Sequence, residues 1–335
     1  MRIHQFPLKG GIMRSKEFEK KRLASFAVNV GTKCGHDCLY CSTGAVLRMH
    51  PSFKAVGENP FGHGYCIVDP ATPERVARDA ARQHERGVVQ LCTLTDAWAP
   101  EAQAHKLGRR CLEAILAQPG WSVRILTKNA SVLHDFDLIE RYRDRVLVGL
   151  SLTATVDKAP ITKVLEPNAS TILHRFIALC AAAGRGLRTY VMLCPLLPGV
   201  ADAPSDIDAL VQLSVACHVE EIFVEALNAR GTGLRTCQAA LQEHGHIAEA
   251  AAVGAIRAHD EWSRYARDLI FNVQESVRRH SDIGKLRVLL YPSNLLPRHV
   301  EEIRERAAGV IWLRKDDSRA EPADSAPQAE AEREL

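Results

Sequence analysis

The feature that most restricts how this chain can fold is a group of three cysteines, Cys34, Cys38 and Cys41, within eight residues. The apolar segment 23–31 directly before them predicts a buried strand. Three thiols so close in sequence can bind one metal centre only if the loop that carries them wraps around it. Zinc and iron–sulfur clusters both accept cysteine thiolates, so the spacing predicts one of these centres at the end of the strand.

The number of ligands favours the iron–sulfur cluster. A structural zinc site takes four protein ligands. The obvious fourth ligand, His36, lies between two of the cysteines, where it reaches the same ion only awkwardly. A cubane held by three cysteines instead keeps one iron free to bind a substrate or a cofactor. A zinc-binding module without catalytic activity is the alternative from another class of protein.

Strand and helix patterns alternate along the chain up to residue 226 and give six strand–helix units. The strand segments are almost continuously apolar, which is typical of a parallel sheet covered on both faces. We therefore predict an α/β fold with a partial (β/α)6 TIM-type barrel over residues 23–226. An open doubly wound sheet would give the same alternation, so the pattern does not decide whether the sheet closes.

Three further regions flank the predicted barrel. A basic N-terminal arm covers residues 1–22, and a C-terminal α/β extension packed on the barrel covers residues 227–315, with two strands on either side of a helix. Residues 316–335 have almost no large apolar side chains, which predicts a disordered tail. Residues 48–70 contain several Gly and Pro and predict a long loop, of the kind that often forms lids or binding loops.

Composition limits the class of protein further. Ten cysteines in a chain whose first 22 residues lack the apolar core of a secretory signal predict a reducing, cytoplasmic location. Apolar runs stay below the length of about 18 residues that a membrane span needs, so we expect no membrane partner. The net charge of +3 is too small to indicate a partner by itself.

The cysteine loop, with Tyr40 before the third cysteine and a strand in front, resembles that of the radical S-adenosylmethionine (SAM) superfamily. The resemblance implies a [4Fe–4S] cluster on Cys34, Cys38 and Cys41 whose free iron binds SAM, and it places Tyr40 against the adenine. Reductive cleavage of SAM then gives methionine and a 5′-deoxyadenosyl radical. It also implies a reductant such as flavodoxin or ferredoxin.

Later segments are similar to the spore photoproduct lyase-like branch of that superfamily. Their common order over residues 23–226 carries the resemblance, because no single one is specific. The matching segments are CTLTD at 92–96 with Pro100 and Glu101 after it, LTK at 126–128, GLSLT at 149–153, LEP at 165–167 followed by Arg175, and VMLCPLLP at 191–198.

This branch assigns roles to residues at the ends of the predicted strands, where barrel enzymes assemble their sites. The resemblance gives the SAM amino group to the turn with Thr93 and Thr95, places Lys128 at the SAM end of the pocket, Ser151 at the methionine or ribose, and Glu166 and Arg175 at nearby polar groups. Helix capping by the threonines and a solvated charge on the lysine are the structural alternatives.

Cys92 occupies about the place where photoproduct lyases carry a cysteine that donates a hydrogen atom to a substrate radical. A thiol suits that task because its S–H bond is weaker than the C–H bond that forms. The turn after Cys92 is one residue longer than in those lyases. A buried, inert thiol is the alternative.

Two reactions remain open for a radical SAM enzyme of this sequence. The first is lyase or repair chemistry on nucleic acid, for which the basic segments 14–22, 278–280 and 285–287 would contact phosphates. The second is modification of a small molecule or a protein. Solvated charged surfaces explain the basic segments equally well.

Overall fold

The computed structural model describes residues 1–228 and 232–313 of the 335-residue chain, and the tail predicted at 316–335 lies outside them. The described strands are β1 Arg2–Gln5, β2 Met13–Arg14, β3 Phe26–Val28, β4 Gly31–Lys33, β5 Tyr65–Val68, β6 Val88–Leu91, β7 Ser122–Thr127, β8 Val146–Ser151, β9 Arg188–Leu196, β10 Glu221–Ala226, β11 Leu286–Leu290 and β12 Val310–Trp312.

The helices cover the outer face of the main sheet and the segments around the cysteines. They are α1 Lys16–Lys20, α2 Thr43–Val46, α3 Pro51–Val56, α4 Thr72–Arg82, α5 Pro100–Gln103, α6 Leu107–Leu116, α7 Phe136–Arg141, α8 Ala159–Leu165, α9 Ile172–Gly184, α10 Pro204–Ala216, α11 Gly233–Glu243, α12 Ile247–Ala255, α13 His259–His280 and α14 Pro297–Arg306.

A nine-stranded sheet in the order β12-β11-β10-β9-β8-β7-β6-β3-β2 organises the molecule. Its strands pair in parallel except for β2, which is antiparallel to β3. The predicted α/β class with a parallel sheet is confirmed. Among the described residues no ladder joins β12 back to β2 or β3, so the sheet is open at these two edges.

Alternating side chains divide the sheet into two faces, as the two-residue period of strands requires. One face packs against the helices in the main core, with Leu193 and Val224 among its members. The other face carries a smaller apolar group that includes Tyr190, Met192 and Phe223. Residues from β3, β6, β7, β8, β9, β10 and β11 line one cavity on this second face, so the sheet curves around it.

The region after residue 226 adds strands to the sheet. Ile222 of β10 pairs with Leu286 of β11, and Val288 of β11 pairs with Val310 of β12, both in parallel. The predicted helix between these strands is α14. The extension was expected to pack on the barrel, whereas its strands continue the same sheet to eight parallel members in the described part of the chain.

A three-stranded sheet, β1-β5-β4, lies beside the main sheet and leads into the cysteines. The prediction of a long loop over residues 48–70 is wrong in part, because this segment contains α3 and the fully buried strand β5. Strand β5 pairs with β1 and β4, and β4 ends one residue before Cys34. No helix in the described ranges is long and apolar enough to cross a membrane.

Candidate active site

The cysteine loop begins where β4 ends and is fixed to the protein at several backbone points. Asp37, with a φ of 55°, accepts hydrogen bonds from His63 Nδ1 at 2.9 Å and from the Gly64 N–H at 2.7 Å. The Leu39 N–H donates to the Leu165 carbonyl at 2.9 Å. These contacts hold the loop between the segment before β5 and the end of α8, so its shape does not depend on the cysteines alone.

Tyr40 ties the loop to a buried ion pair. Its hydroxyl donates to Glu166, which also accepts from Thr153 Oγ1 at 3.0 Å and pairs with Arg175. Arg175 donates in addition to the Ser151 carbonyl at 3.1 Å and the Ser170 carbonyl at 2.7 Å. Both members of the pair are 1% exposed in their side chains. They therefore position Tyr40 and the ends of the neighbouring strands.

Asp96 is a second buried acidic residue that holds the cysteine loop in place. Its carboxylate accepts from Thr127 Oγ1 at 2.8 Å and from the Lys128 N–H at 2.9 Å. Nδ1 of His36 lies 3.5 Å from the same carboxylate. Burial lowers the pKa of His36, so its imidazole is neutral at pH 7. Asp96 thus links the cysteine loop to the carboxyl end of β7.

The three cysteines of the loop line one pocket together. Cys38 is buried, Cys34 is intermediate and Cys41 is exposed. Burial raises the pKa of the Cys34 thiol and raises that of Cys38 to about 12. Bound iron would offset this effect, because a coordinating thiol is deprotonated outright.

The chemistry of the loop fits a [4Fe–4S] cluster, because three cysteine thiols line one pocket and cysteine thiolates are the ligands of such clusters. No group of three His, Cys, Asp or Glu side chains in the described part of the chain is already arranged to hold a metal ion.

Cys41 also borders a second, larger cavity of about 640 Å³ on the concave face of the sheet. Four of the SAM-site residues implied by the resemblance line it: Tyr40, Thr93, Lys128 and Ser151. Lys128 Nζ lies 5.6 Å from the centre of the Tyr40 ring. Thr93 Oγ1 is buried and has no hydrogen-bond partner among the described residues. A polar atom in this state needs a ligand or a water molecule.

The other three residues of the implied SAM site do not line the cavity. Thr95 Oγ1 accepts from the Val30 N–H at 3.3 Å, and Glu166 and Arg175 form the ion pair behind Tyr40. The resemblance implied that Thr95 belongs to the turn that receives the SAM amino group and that Glu166 and Arg175 hold polar groups nearby. In the structure the hydrogen bonds of these three residues connect parts of the protein to each other.

Cys92 is also away from the cavity. Its side chain is 0% exposed and belongs to the main core between the sheet and the helices, together with Cys111 of α6. Burial raises the pKa of the Cys92 thiol well above its ordinary value. The alternation of β6 would turn residue 92 to the same face as Gln90, but it breaks after Leu91. This placement corresponds to the inert-thiol alternative.

Several residues that line the cavity were not predicted from the sequence. Cys194 and Glu225 line it, and Cys194 Sγ lies 3.3 Å from Glu225 Oε2. Gln90 and Tyr190 lie deeper, and Gln90 is 1% exposed. The period of two along β9, which turns residues 190, 192 and 194 to one face, was a signal that could have found Cys194.

A further chamber of about 350 Å³ adjoins the cavity at the ends of β10 and β11. Lys21, Glu225 and Tyr291 border both spaces. Trp262 and apolar residues of α13 line the inner part of this chamber, and Arg257 and His259 stand at its edge. The two spaces together form a long depression along the carboxyl ends of the strands.

Most of the basic residues predicted to contact phosphates lie elsewhere. Arg279 and His280 pair with Asp208 at 3.0 and 2.9 Å, at the end of α13 remote from the cavity. Lys285 Nζ donates to the Val219 carbonyl at 3.0 Å, before the first residue of β10. Lys21 is the member of the three basic segments that lines the cavity. The others serve the fold or its surface.

Proteins with sequences similar to this chain are known. No family model matches the chain. An uncharacterized protein of Acidianus two-tailed virus is 24% identical over 224 residues, which are 65% of this chain and 72% of that protein. An uncharacterized protein of Methanocaldococcus jannaschii is 24% identical over 179 residues, or 53% of this chain and 63% of that protein.

Solved structures give a more extensive match. Spore photoproduct lyase complexed with dinucleoside spore photoproduct superposes with a TM-score of 0.55 and 15% identity over 85% of this chain and 81% of that one. A variant of that lyase with bound AdoMet and dinucleoside spore photoproduct gives a TM-score of 0.56 and 14% identity over 85% and 80%. The chain therefore has the fold of spore photoproduct lyase.

Proposed function

We propose that the chain is a radical SAM enzyme whose [4Fe–4S] cluster is held by Cys34, Cys38 and Cys41. The observation that carries the proposal is the shared position of Cys41, which borders both the pocket of the three thiols and the large cavity. A reactive group formed at the cluster would enter that cavity directly. The fold, common with spore photoproduct lyase, supports the same conclusion.

When bound, the cluster and SAM would supply one chemical capability, a 5′-deoxyadenosyl radical. The residues of this chain would bind and orient SAM. Thr93 Oγ1 is a free hydrogen-bonding atom in the cavity, suited to the SAM amino group. The Lys128 ammonium suits a carboxylate, and Tyr40, fixed by Glu166, offers a flat face. Ser151 Oγ already donates to the Cys194 carbonyl at 3.1 Å. This hydrogen bond fixes the part of the cavity wall that the two residues form.

We further propose a nucleic-acid-type substrate and lyase or repair chemistry. The lyase with the same fold binds a dinucleoside photoproduct. Here the cavity of about 640 Å³ and the chamber of about 350 Å³ both fall in the usual size range of ligand sites. Lys21 and Arg257 border this depression, where a phosphate between two nucleosides would find positive charge.

The cofactor part is tested by anaerobic reconstitution, chemical reduction with SAM and chromatographic assay of 5′-deoxyadenosine. We expect a cluster with four irons and formation of 5′-deoxyadenosine, both lost when Cys34, Cys38 and Cys41 are replaced by Ala. Cys180→Ala on α9 is the matched control and should keep both. One zinc per chain, or SAM cleavage that survives the triple replacement, would show that the proposal is wrong.

The substrate part has its own test. The reconstituted enzyme is incubated with dinucleoside spore photoproduct and, separately, with undamaged dinucleotide. We expect faster 5′-deoxyadenosine formation and loss of the photoproduct only in the first sample. If SAM is cleaved but neither nucleic acid changes the rate, the proposed enzyme class would stand and this substrate class would be excluded.

A further inference from the structure

The large cavity has a polar floor that the proposed SAM site does not use. Gln90 of β6 and Tyr190 of β9 line this part of the cavity, and we call these two residues the floor pair. Gln90 pairs in register with Arg124 of β7, four residues before Lys128. At about 3.3 Å per residue, the floor lies roughly 13 Å below Lys128. It is therefore separate from the strand ends at which SAM would bind.

The floor pair carries polar atoms that the protein itself does not satisfy. Gln90 Oε1, Gln90 Nε2 and Tyr190 Oη have no hydrogen-bond partner among the described residues. Gln90 is 1% exposed and Tyr190 is 0% exposed. Buried polar atoms are normally paired, and an unpaired one costs free energy of folding. These atoms therefore indicate a ligand in the cavity that supplies their hydrogen bonds.

Packing fixes the Tyr190 ring without the help of its hydroxyl. Cζ of Arg124 lies 4.3 Å from the centre of the ring, and the Phe223 ring meets it in a T-shaped contact at 5.9 Å. Gly149 leaves room for the ring, because a Cβ at that position would lie 2.1 Å from Tyr190 Cζ. The hydroxyl is thus held at one place in the floor and is available to a ligand.

The charges around the floor favour carbonyl oxygens on that ligand. Burial raises the pKa of the Tyr190 hydroxyl, so the group is protonated at pH 7 and can donate. Arg124 and Gln90 lie close enough to oppose this rise, although no hydrogen bond joins them to the hydroxyl. Arg124 acts on the hydroxyl more strongly than its ion-pair partner Glu221, which is 2.8 Å from the guanidinium. The resulting positive potential disfavours an amino group on the ligand.

We propose that the floor pair binds the lactam edge of a nucleobase, a ring N–H beside a ring carbonyl, and so decides which base the cavity accepts. The Gln90 side-chain carbonyl accepts from the ring N–H, while its NH2 group and the Tyr190 hydroxyl donate to carbonyl oxygens of the ligand. Thymine, uracil and guanine have such an edge, whereas cytosine and adenine carry an amino group there. This inference rests on the proposed nucleic-acid-type substrate.

The test measures binding rather than turnover. The full chain, reconstituted anaerobically, is titrated calorimetrically with dinucleotides that carry thymine, guanine or cytosine, and with thymine and guanine forms methylated at the ring N–H. We expect the thymine or the guanine dinucleotide to bind about 10-fold or more tightly than its methylated form and the cytosine dinucleotide, the discrimination of one bidentate base contact. The tighter of the two identifies the base.

Variants of the floor pair should remove this preference. Gln90→Met has a similar length and no hydrogen-bonding group, so its affinities for the methylated and unmethylated dinucleotides should be nearly equal. Tyr190→Phe should lower the preference in part. Met192→Leu, in the wall of the same cavity, is the control and should keep it. Without ligand, Gln90→Met should be at least as stable as the wild type, because it removes polar atoms that lack a partner in the protein.

Several outcomes would overturn the inference. They are equal binding of methylated and unmethylated dinucleotides by the wild type, no binding of any dinucleotide, tighter binding of the cytosine dinucleotide, and a preference that survives in Gln90→Met. A clear loss of ligand-free stability in Gln90→Met would also overturn it, since the amide would then serve the fold.

An assay of 5′-deoxyadenosine on the same preparations separates this inference from the proposed enzyme class. If 5′-deoxyadenosine forms but the protein shows no preference among the bases, the role of the floor pair is wrong and the enzyme class stands. If the base preference is present but no 5′-deoxyadenosine forms with SAM and reductant, the base site stands and the proposed radical SAM function is wrong.

Discussion

Glu166 and Arg175 form an ion pair in which each side chain is 1% exposed, and the same carboxylate holds the hydroxyl of Tyr40. The pair thus connects the start of α9 to the cysteine loop, more than 120 residues earlier in the chain. Its polar atoms are used within the protein. Its contribution is therefore to the position of Tyr40.

Loss of one member of this pair should destabilise the protein strongly. Glu166→Gln leaves the buried Arg175 guanidinium without its counter-charge, and we expect a loss of about 3–5 kcal/mol in the free energy of unfolding. Denaturant unfolding under anaerobic conditions measures it. Glu220→Gln, in the exposed pair with Arg188, should cost less than about 1 kcal/mol. Equal costs for the two variants would contradict the structural role.

Gly35 should be required for the cysteine loop. A Cβ at this position would lie 2.3 Å from Glu101 Oε2, so Gly35→Ala must displace Glu101 or the loop. We expect less iron per chain after reconstitution, measured by iron analysis and absorbance. Gly184→Ala in α9 is the control, because a Cβ there meets nothing within 4 Å. Full iron content in Gly35→Ala would show that the loop adapts.

Glu101 should make stability depend on pH. Burial raises its pKa to about 7 from the ordinary value of 4.5. As pH rises, the Glu101 carboxyl loses its proton at a lower pH in the unfolded state than in the folded state. The stability contributed by the protonated carboxyl is therefore present below pH 4.5 and lost as pH rises toward 7. The total loss is about 3 kcal/mol. Glu101→Gln in the cluster-free protein should remove this dependence and be more stable than the wild type at pH 8; parallel stability curves for both would count against it.

Thr93 and Thr95 should differ in their effect on SAM. Thr93→Val removes an unpaired hydroxyl that faces the cavity, and we expect about tenfold weaker SAM binding, the value of one hydrogen bond. Thr95→Val removes the acceptor of the Val30 N–H and should lower stability while leaving the SAM affinity unchanged. Calorimetric titration of the reconstituted proteins measures both affinities. The reverse pattern would place the SAM amino group at Thr95.

The Cys194 thiol should react slowly with alkylating reagents, since the thiolate is the reactive form. Burial and Glu225 raise its pKa, and Glu225→Gln removes the second of these causes. We therefore expect faster modification of Cys194 by iodoacetamide at pH 8 in Glu225→Gln, followed by peptide mass spectrometry. Glu220→Gln serves as the control with an unchanged rate. An unchanged rate in Glu225→Gln would mean that the carboxylate does not act on this thiol.

The local parts of the candidate site are visible in the sequence, whereas the contacts between distant segments are not. The cysteine loop depends on spacing within eight residues and on the strand before it, both visible in the chain. The pairing of Glu166 with Arg175 and Tyr40 arises only when α8, α9 and the loop pack together. The hydrogen bonds that Glu166 and Arg175 make within the protein could therefore not be predicted from the sequence.

Strand alternation explains why the face of the sheet on which each thiol lies was hard to predict. It holds within β9, where Tyr190, Met192 and Cys194 share the concave face. It fails at the end of β6, where Leu91 and Cys92 both enter the main core. A sequence pattern of period two does not show where a strand departs from it, so the position of Cys92 in the main core could not be predicted from the sequence.

The open edges of the sheet have a consequence for how new activities arise on this fold. Eight strands closed into a ring leave an interior that their own side chains fill or that holds one small ligand. Here the sheet stays open, with β12 at one edge and β2 at the other, and residues of β3 and β6 to β11 line about 640 Å³. Single substitutions of lining residues can thus change which molecule the cavity binds, while the cysteine loop and the backbone stay as they are.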